Sequence, residues 1–377
     1  MKKIVALSLI FLGLATLVLA HDTSGLHNHA SEPEAKLWPF KPELKGPVKA
    51  PVPLRHKVAV SGQGFWKFIA ATNVVPLPPG VGANIVRAHG TVVFDAGHDT
   101  VYFAAKRVGW IAFSNQLRDS WIVQGDVRFR NNNVHGADIF PRKGKPALIA
   151  AADNEGYLVY LTDTTFQNPQ ILRRPDEGAY VGTNRMFRPT DTAFLDAKRV
   201  FITDGYGSGY FMSATTDLFI YEPGLYGGLE FSKTPHGITF DPKDKNLLVS
   251  ARPEGQLKRW STKKQSVLEI GALPAGTLLC DVDLWGDYAL AACLENPGKA
   301  PGPLIIVNLK TQTIVSVIKP KEELGFEFAD HMHDACWYFH KQGRQTDVYL
   351  VFTAWNPGGI GALKLVNVPD STSLSGP

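Results

Sequence analysis

Four histidines occupy comparable places in this chain. His89, His135 and His236 are each followed by glycine, an apolar stretch and a polar turn, and His333-Asp334 opens a similar stretch. Pro189-Thr190-Asp191 and Asp281-Val282-Asp283 open the same pattern without histidine. Taken at positions 89, 135, 190, 236, 282 and 333, the intervals are 46, 55, 46, 46 and 51 residues. One histidine at the start of a strand is ordinarily an internal hydrogen-bonding residue. Four at one repeat position mean something else. Any fold that arranges the repeats about an axis brings the four rings together, where charged imidazoliums would repel. A divalent metal relieves that conflict by taking neutral ring nitrogens. All-histidine ligation suits zinc, copper or non-haem iron. Three histidines with an open position make a catalytic zinc site, and four would close zinc or suit iron.

Six units of this length imply blades or solenoid turns. Within each unit the apolar runs are short, such as Thr91-Val92-Val93-Phe94, Val101-Tyr102-Phe103-Ala104, Ala147-Leu148-Ile149-Ala150 and Asn246-Leu247-Leu248-Val249. Gly, Pro, Asn and Asp separate them, as expected of strands and turns. No long helical period is present. The expected fold is all-β, a six-bladed β-propeller, with the first strand of each unit lining the central channel. The propeller is expected over residues 56–370, with a tail at 371–377. The 377 residues include 35 Gly and 26 Pro, which suits a fold with a turn after every strand.

Residues 1–20 read as a secretory signal: Lys2-Lys3, an apolar core from Ile4 to Val18, and Val18-Leu19-Ala20 at the cleavage position. The expected location is secreted or periplasmic, without a stable membrane span. Residues 21–55 are polar and Pro-rich and read as a flexible lead-in, with His21, His27 and His29 close together. Setting Lys2 and Lys3 aside from the 39 basic residues leaves 37 against 35 acidic ones, and no long basic run exists, so nucleic acid is not an expected partner. Three cysteines exclude a disulfide scaffold. Cys280 and Cys293 flank two strand-like runs, and either a disulfide across the hairpin or two buried thiols would fit. Cys336, three residues past His333, reads as an inner-strand thiol or a further ligand.

Local motifs carry a resemblance. Arg188-Pro189-Thr190-Asp191 is followed by Asp204-Gly205-Tyr206-Gly207, then Thr234-Pro235-His236-Gly237 and Ala251-Arg252-Pro253-Glu254-Gly255. This order resembles peptidyl-α-hydroxyglycine α-amidating lyase, the lyase domain of peptide-amidating enzyme, a six-bladed propeller with NHL-type repeats. The match is good over residues 186–260 and loose over 85–365. The resemblance implies that His135, His236 and His333 hold zinc. It implies that Tyr206 takes the proton of the substrate hydroxyl and that Arg252 binds the substrate carboxylate. Arg107 falls near a second expected arginine. A structural calcium would be held by the Asp334 carboxylate and the carbonyls of Thr91 and Ala137. The substrate would be a peptide or small amide, supplied by a separate oxygenase.

The chain also departs from that family. Phe187, Gly207, Leu248 and Arg259 stand where its cysteines would be, so a Cys280–Cys293 staple would be a replacement. His331 and His89 add two ligand candidates. They motivate a four-histidine iron or copper oxidoreductase on the same propeller as a second expectation. A non-catalytic propeller that binds a peptide, glycan or protein is a third, since one fold hosts all three.

Overall fold

The computed structural model describes residues 58–366, apart from 73–74, 83–84, 86–88, 262–266 and 344. The expected signal, the lead-in with its three histidines and the C-terminal tail lie outside the described residues.

Strands order into six antiparallel sheets. The first blade runs Val92–Asp95, Thr100–Ala105, Gly109–Ser114 and Asp119–Ile122. The second runs Val134–Arg142, Lys145–Asp153, Leu158–Asp163 and Gln170–Leu172. The third runs Asp191–Asp196, Arg199–Thr203, Tyr210–Thr215 and Tyr226–Gly227. Pro235–Asp241, Asn246–Ala251, Gln256–Ser261 and Val267–Ala272 form the fourth. Leu278–Trp285, Tyr288–Asn296, Leu304–Asn308 and Thr313–Ile318 form the fifth. The sixth joins His331–Gln342, Gln345–Asn356 and Gly359–Leu365 to Trp66–Thr72 from the other end of the chain, with Phe68 opposite Leu365. Only two short helices, Arg128–Asn131 and Pro320–Leu324, interrupt the β-structure among the described residues. The chain forms the six-bladed propeller that its repeat implies.

The core lies between blades. Val93, Tyr102 and Trp110 of the first blade pack on Ile149, Tyr160 and Phe166 of the second. Phe201 and Phe211 of the third pack on Leu247 and Trp260 of the fourth. Each sheet is covered on both faces by its neighbours, which explains why its strands are continuous apolar runs.

Carboxylates join the innermost strands around the axis. Asp138 accepts the Phe194 N–H at 2.7 Å, and Asp191 accepts that of Ile238 at 2.8 Å. Asp281 and Asp283 accept from Ala335 and Trp337 at 3.2 and 2.8 Å, and Asp334 accepts from Val92 at 3.3 Å. In each case one blade's inner strand satisfies a buried N–H on the next, which has no ladder partner on that side. Glycine is required where the clasp is tight: a Cβ on Gly136 would run into the Thr190 carbonyl and the Asp191 carboxylate.

Asp283→Ala removes the acceptor and leaves the Trp337 N–H buried. A loss of about 1–3 kcal/mol is expected. Equilibrium urea unfolding checks it, and unchanged stability would show the clasp to be dispensable.

Candidate active site on the propeller axis

The clasps fix which residues are equivalent. Asp191, Asp281 and Asp334 accept in the same way from Ile238, Ala335 and Val92, and Asp138 matches Asp283. The residues at the head of the six inner strands are therefore Gly90, His135, Thr190, His236, Cys280 and His333. This corrects the sequence spacing twice. In the first blade the ring position is Gly90, and His89 lies one residue before it. In the fifth blade it is Cys280.

Ladder irregularities explain how these side chains reach the axis. Pairing slips between Val134 and Gly136, between Pro235 and Ile238, between Leu279 and Asp281, and between Met332 and Asp334. The skipped residues include His135, His236, Cys280 and His333. A bulge leaves a residue unpaired and re-aims its side chain.

His135, His236 and His333 are buried and come together. Ring centroids are 4.7 Å apart for His135 and His236, 4.5 Å for His135 and His333, and 5.3 Å for His236 and His333. His135 Nδ1 donates to the Thr190 carbonyl at 2.7 Å, and His236 Nδ1 to the Cys280 carbonyl at 2.9 Å. Each donation goes to the ring residue of the next blade and leaves a lone pair on Nε2. His333 Nε2 lies 3.2 Å from His135 Nε2. Burial, then the neighbouring guanidiniums of Arg252 and Arg188, pushes His135 down to about 3. Burial followed by the adjoining His135 ring lowers His236 and His333 as well. Neutral imidazoles with Nδ1–H tied to carbonyls are the form in which histidine binds a metal. Ligand atoms of His89, His135 and His333 lie within 4.8 Å of one another, as do those of His236, Cys280 and His333, so His135 and His236 fall in different sets, and either set could hold a divalent transition metal such as zinc.

Tyr206 closes the site from above. Its hydroxyl is 2.9 Å from His236 Nε2 and 3.3 Å from His135 Nε2, and Arg252 Nη1 donates to it at 2.5 Å. Arg252 and Arg188 each place a guanidinium carbon 5.6 Å from the centre of its ring. Burial raises the Tyr206 pKa despite both arginines. The turn that carries Tyr206 is built on Asp204, which accepts from the Ser208 backbone and hydroxyl at 2.7 Å and from the Tyr180 hydroxyl at 2.5 Å. The same carboxylate holds the Arg188 N–H at 2.6 Å. Gly207 is required there, because a Cβ would strike that carboxylate and the Met186 carbonyl.

Other expected residues are placed differently. Arg107 is exposed, in a left-handed turn of the first blade with φ 67°. The second arginine beside Tyr206 is Arg188, within a motif already noted but with no role read from it. His331 contacts Glu295 at 3.0 Å and the Asn356 carbonyl at 3.3 Å, which corrects its expected approach to the metal. His89 lies 4.6 Å from His135 and 5.0 Å from His333 between ring centres, stacked on Trp355. The Asn133 amide donates to its Nδ1 at 2.6 Å, so its proton sits on Nε2. All three cysteines are free and buried, and Cys293 faces Leu279, so the Cys280–Cys293 staple is not formed. Below the histidines, Asp191, Asp281 and Asp334 crowd one another, and burial with mutual repulsion raises Asp191 and Asp334 well above the usual range.

No protein-family model and no curated protein matches the chain. Solved structures match its fold. XC5397 from Xanthomonas campestris, a gluconolactonase, aligns with a TM-score of 0.52 at 10% identity, over 82% of this chain and 99% of its own. A putative gluconolactonase aligns at 0.50 and 11% identity, over 79% and 97%. A luciferin-regenerating enzyme aligns at 0.50 and 9% identity, over 76% and 94%. Such likenesses establish the propeller and leave the site to be argued from its own residues. No helix among the described residues is long and apolar enough to cross a membrane.

The buried histidine has a consequence for acid stability. Unfolded, His135 takes a proton near 6.5; folded, it refuses one until about 3. Its contribution is full above pH 6.5 and is lost as pH falls through that window, at roughly 1.4 kcal/mol per unit. Asp138 and Asp283, raised by burial to about 7 and about 6, act oppositely and cost stability as pH rises from 3.8. Comparing wild type with His135→Gln isolates the histidine. The variant is expected to lose less stability between pH 6.5 and 4, read by urea unfolding at each pH; equal slopes would contradict it.

Proposed function

We propose that the axial site is a metal-dependent carbon–nitrogen lyase centre of the amidating type, acting on a hydroxyglycine-type peptide or small amide. The observation that carries this reading is the Tyr206 hydroxyl, held between His135, His236 and Arg252 on the axis. A base is thus placed beside two neutral imidazoles and two guanidiniums.

His135, His236 and His333 would hold zinc, which when bound would polarise a substrate hydroxyl and ease its deprotonation. Tyr206 takes the hydroxyl proton. The oxygen's electrons form a C=O bond, the C–N pair leaves on nitrogen, and the nitrogen regains one proton. The products are an amide and glyoxylate. Arg252 and Arg188 meet the substrate carboxylate. The buried Nε of Arg188 has no hydrogen-bond partner among the described residues, which suits a guanidinium awaiting an anion. Burial keeps Tyr206 protonated despite both arginines, so its use as a base relies on the further positive charge that a bound zinc would bring. In the same reading Asp334, in the layer below, would be a ligand of calcium. Secretion or a periplasmic location, and a separate oxygenase supplying substrate, belong to the same reading.

The four-histidine iron or copper alternative is weakened by the Glu295 contact of His331 and by the Nε2 proton of His89. A non-catalytic propeller gives no account of Tyr206.

Purified protein with zinc should release glyoxylate from an α-hydroxyglycine peptide. Tyr206→Phe is expected to reduce kcat about 10²–10⁴-fold, the usual worth of a positioned base. Arg188→Gln is expected to act mainly on KM, raising it about tenfold or more, as for a lost charged hydrogen bond of about 1.5–3 kcal/mol. Absence of glyoxylate from the zinc-loaded wild type would sink the lyase reading.

A further inference from the structure

We infer that Cys280 is a ligand of the axial metal, making the site a mixed histidine–thiolate centre that shares His236 and His333. The inference rests on the metal reading above but not on the lyase reaction.

The first observation is equivalence. The clasp register puts Cys280 in the fifth blade where His135, His236 and His333 stand in the second, fourth and sixth. The second is the bulge. Four inner strands skip a pairing at this level, and the skipped residues include three histidines and this cysteine. Strand pairing in the third blade begins in regular register at Asp191–Thr203, beside a ring residue, Thr190, that is a poor metal ligand. The re-aimed side chains are thus the ligating ones. The third is distance. One ligand atom from each of His236, Cys280 and His333 lies within 4.8 Å of the other two, all buried. The carbonyl of Cys280 also receives His236 Nδ1 at 2.9 Å, so one residue orients a ligand and offers another.

A second triad, His89, His135 and His333, meets the same distance limit. It is the weaker seat, because the Asn133 amide occupies the His89 Nδ1 lone pair. Cys280 is the extra residue of its bulge, with Leu279 opposite Cys293 and Asp281 opposite Ala292. On binding, the thiol proton is released to solvent and sulfur donates as thiolate, so the oxidation state of the metal is unchanged.

Zinc-edge X-ray absorption on the intact zinc-loaded protein decides the matter. The expected result is one sulfur shell at about 2.3 Å beside nitrogen at about 2.0–2.1 Å. With cobalt in place of zinc, a thiolate-to-metal charge-transfer band is expected in the near ultraviolet. Cys280→Ser should abolish sulfur shell and band, while Cys293→Ser should keep both. Bound zinc with only nitrogen and oxygen neighbours would overturn the inference while leaving the metal reading standing. Failure of the intact protein to bind zinc or cobalt would overturn both. The wild-type spectrum alone is decisive should the serine variant fail to fold.

Discussion

A propeller must satisfy the free edge of every innermost strand where no further strand can fit. In this chain the solution is a carboxylate from one blade accepting a backbone N–H of the next. Asp138, Asp191, Asp281, Asp283 and Asp334 do this at four of the six junctions, including the one that joins the last blade to the first. An unsatisfied buried amide costs about 1–3 kcal/mol. The clasps set how closely the inner strands approach and so how narrow the axis is. Glycine at 136 follows from the same closeness, since the neighbouring carboxylate fills the space of its Cβ.

That narrowness is what gives the next layer its chemistry. Inner strands held this close force their head residues toward one line. The bulges then turn His135, His236 and His333 out of the ladder and onto the axis. Burial keeps the imidazoles neutral, and carbonyls of the adjoining blades fix which nitrogen of His135 and His236 is free. A clasp therefore does two things. It closes the ring, and it sets the depth at which each ligand-type side chain emerges.

Much of this was legible in the sequence. The repeat of His-Gly and Pro-Thr-Asp implied six blades, because a fixed interval survives whatever the strands do in detail. His135, His236, His333, Tyr206 and Arg252 converge as their motifs implied. The misses share one cause. Bulges and strand starts shift a residue by one position, and spacing cannot register that shift. His89 was therefore counted as a ring member although Gly90 holds the place. Cys280 was read against Cys293 as a possible staple, because two cysteines flanking a hairpin suggest a bridge. Its kinship to the histidines appears only when Asp281 is matched to Asp191 and Asp334. Arg188 stands beside Tyr206 where Arg107 was expected, for a similar reason: which turn leans over Tyr206 depends on Asp204, whose carboxylate ties the Arg188 segment to the Tyr206 turn.

The layers also impose an order of charge along the axis. Arg188 and Arg252 stand above with Tyr206, neutral imidazoles lie in the middle, and crowded carboxyl groups lie below. The guanidiniums favour an anionic group at the mouth and add to burial, the larger cause, in keeping protons off His135. The carboxyl groups below cannot all ionise together, and burial pushes them toward their neutral forms. A cation in the middle layer would meet uncharged rings from the side and a polarisable hydroxyl from above. An anion arriving from solvent would meet the arginines first. The same gradient therefore separates two kinds of ligand by depth, and it does so with groups whose positions are already fixed by the closure of the ring.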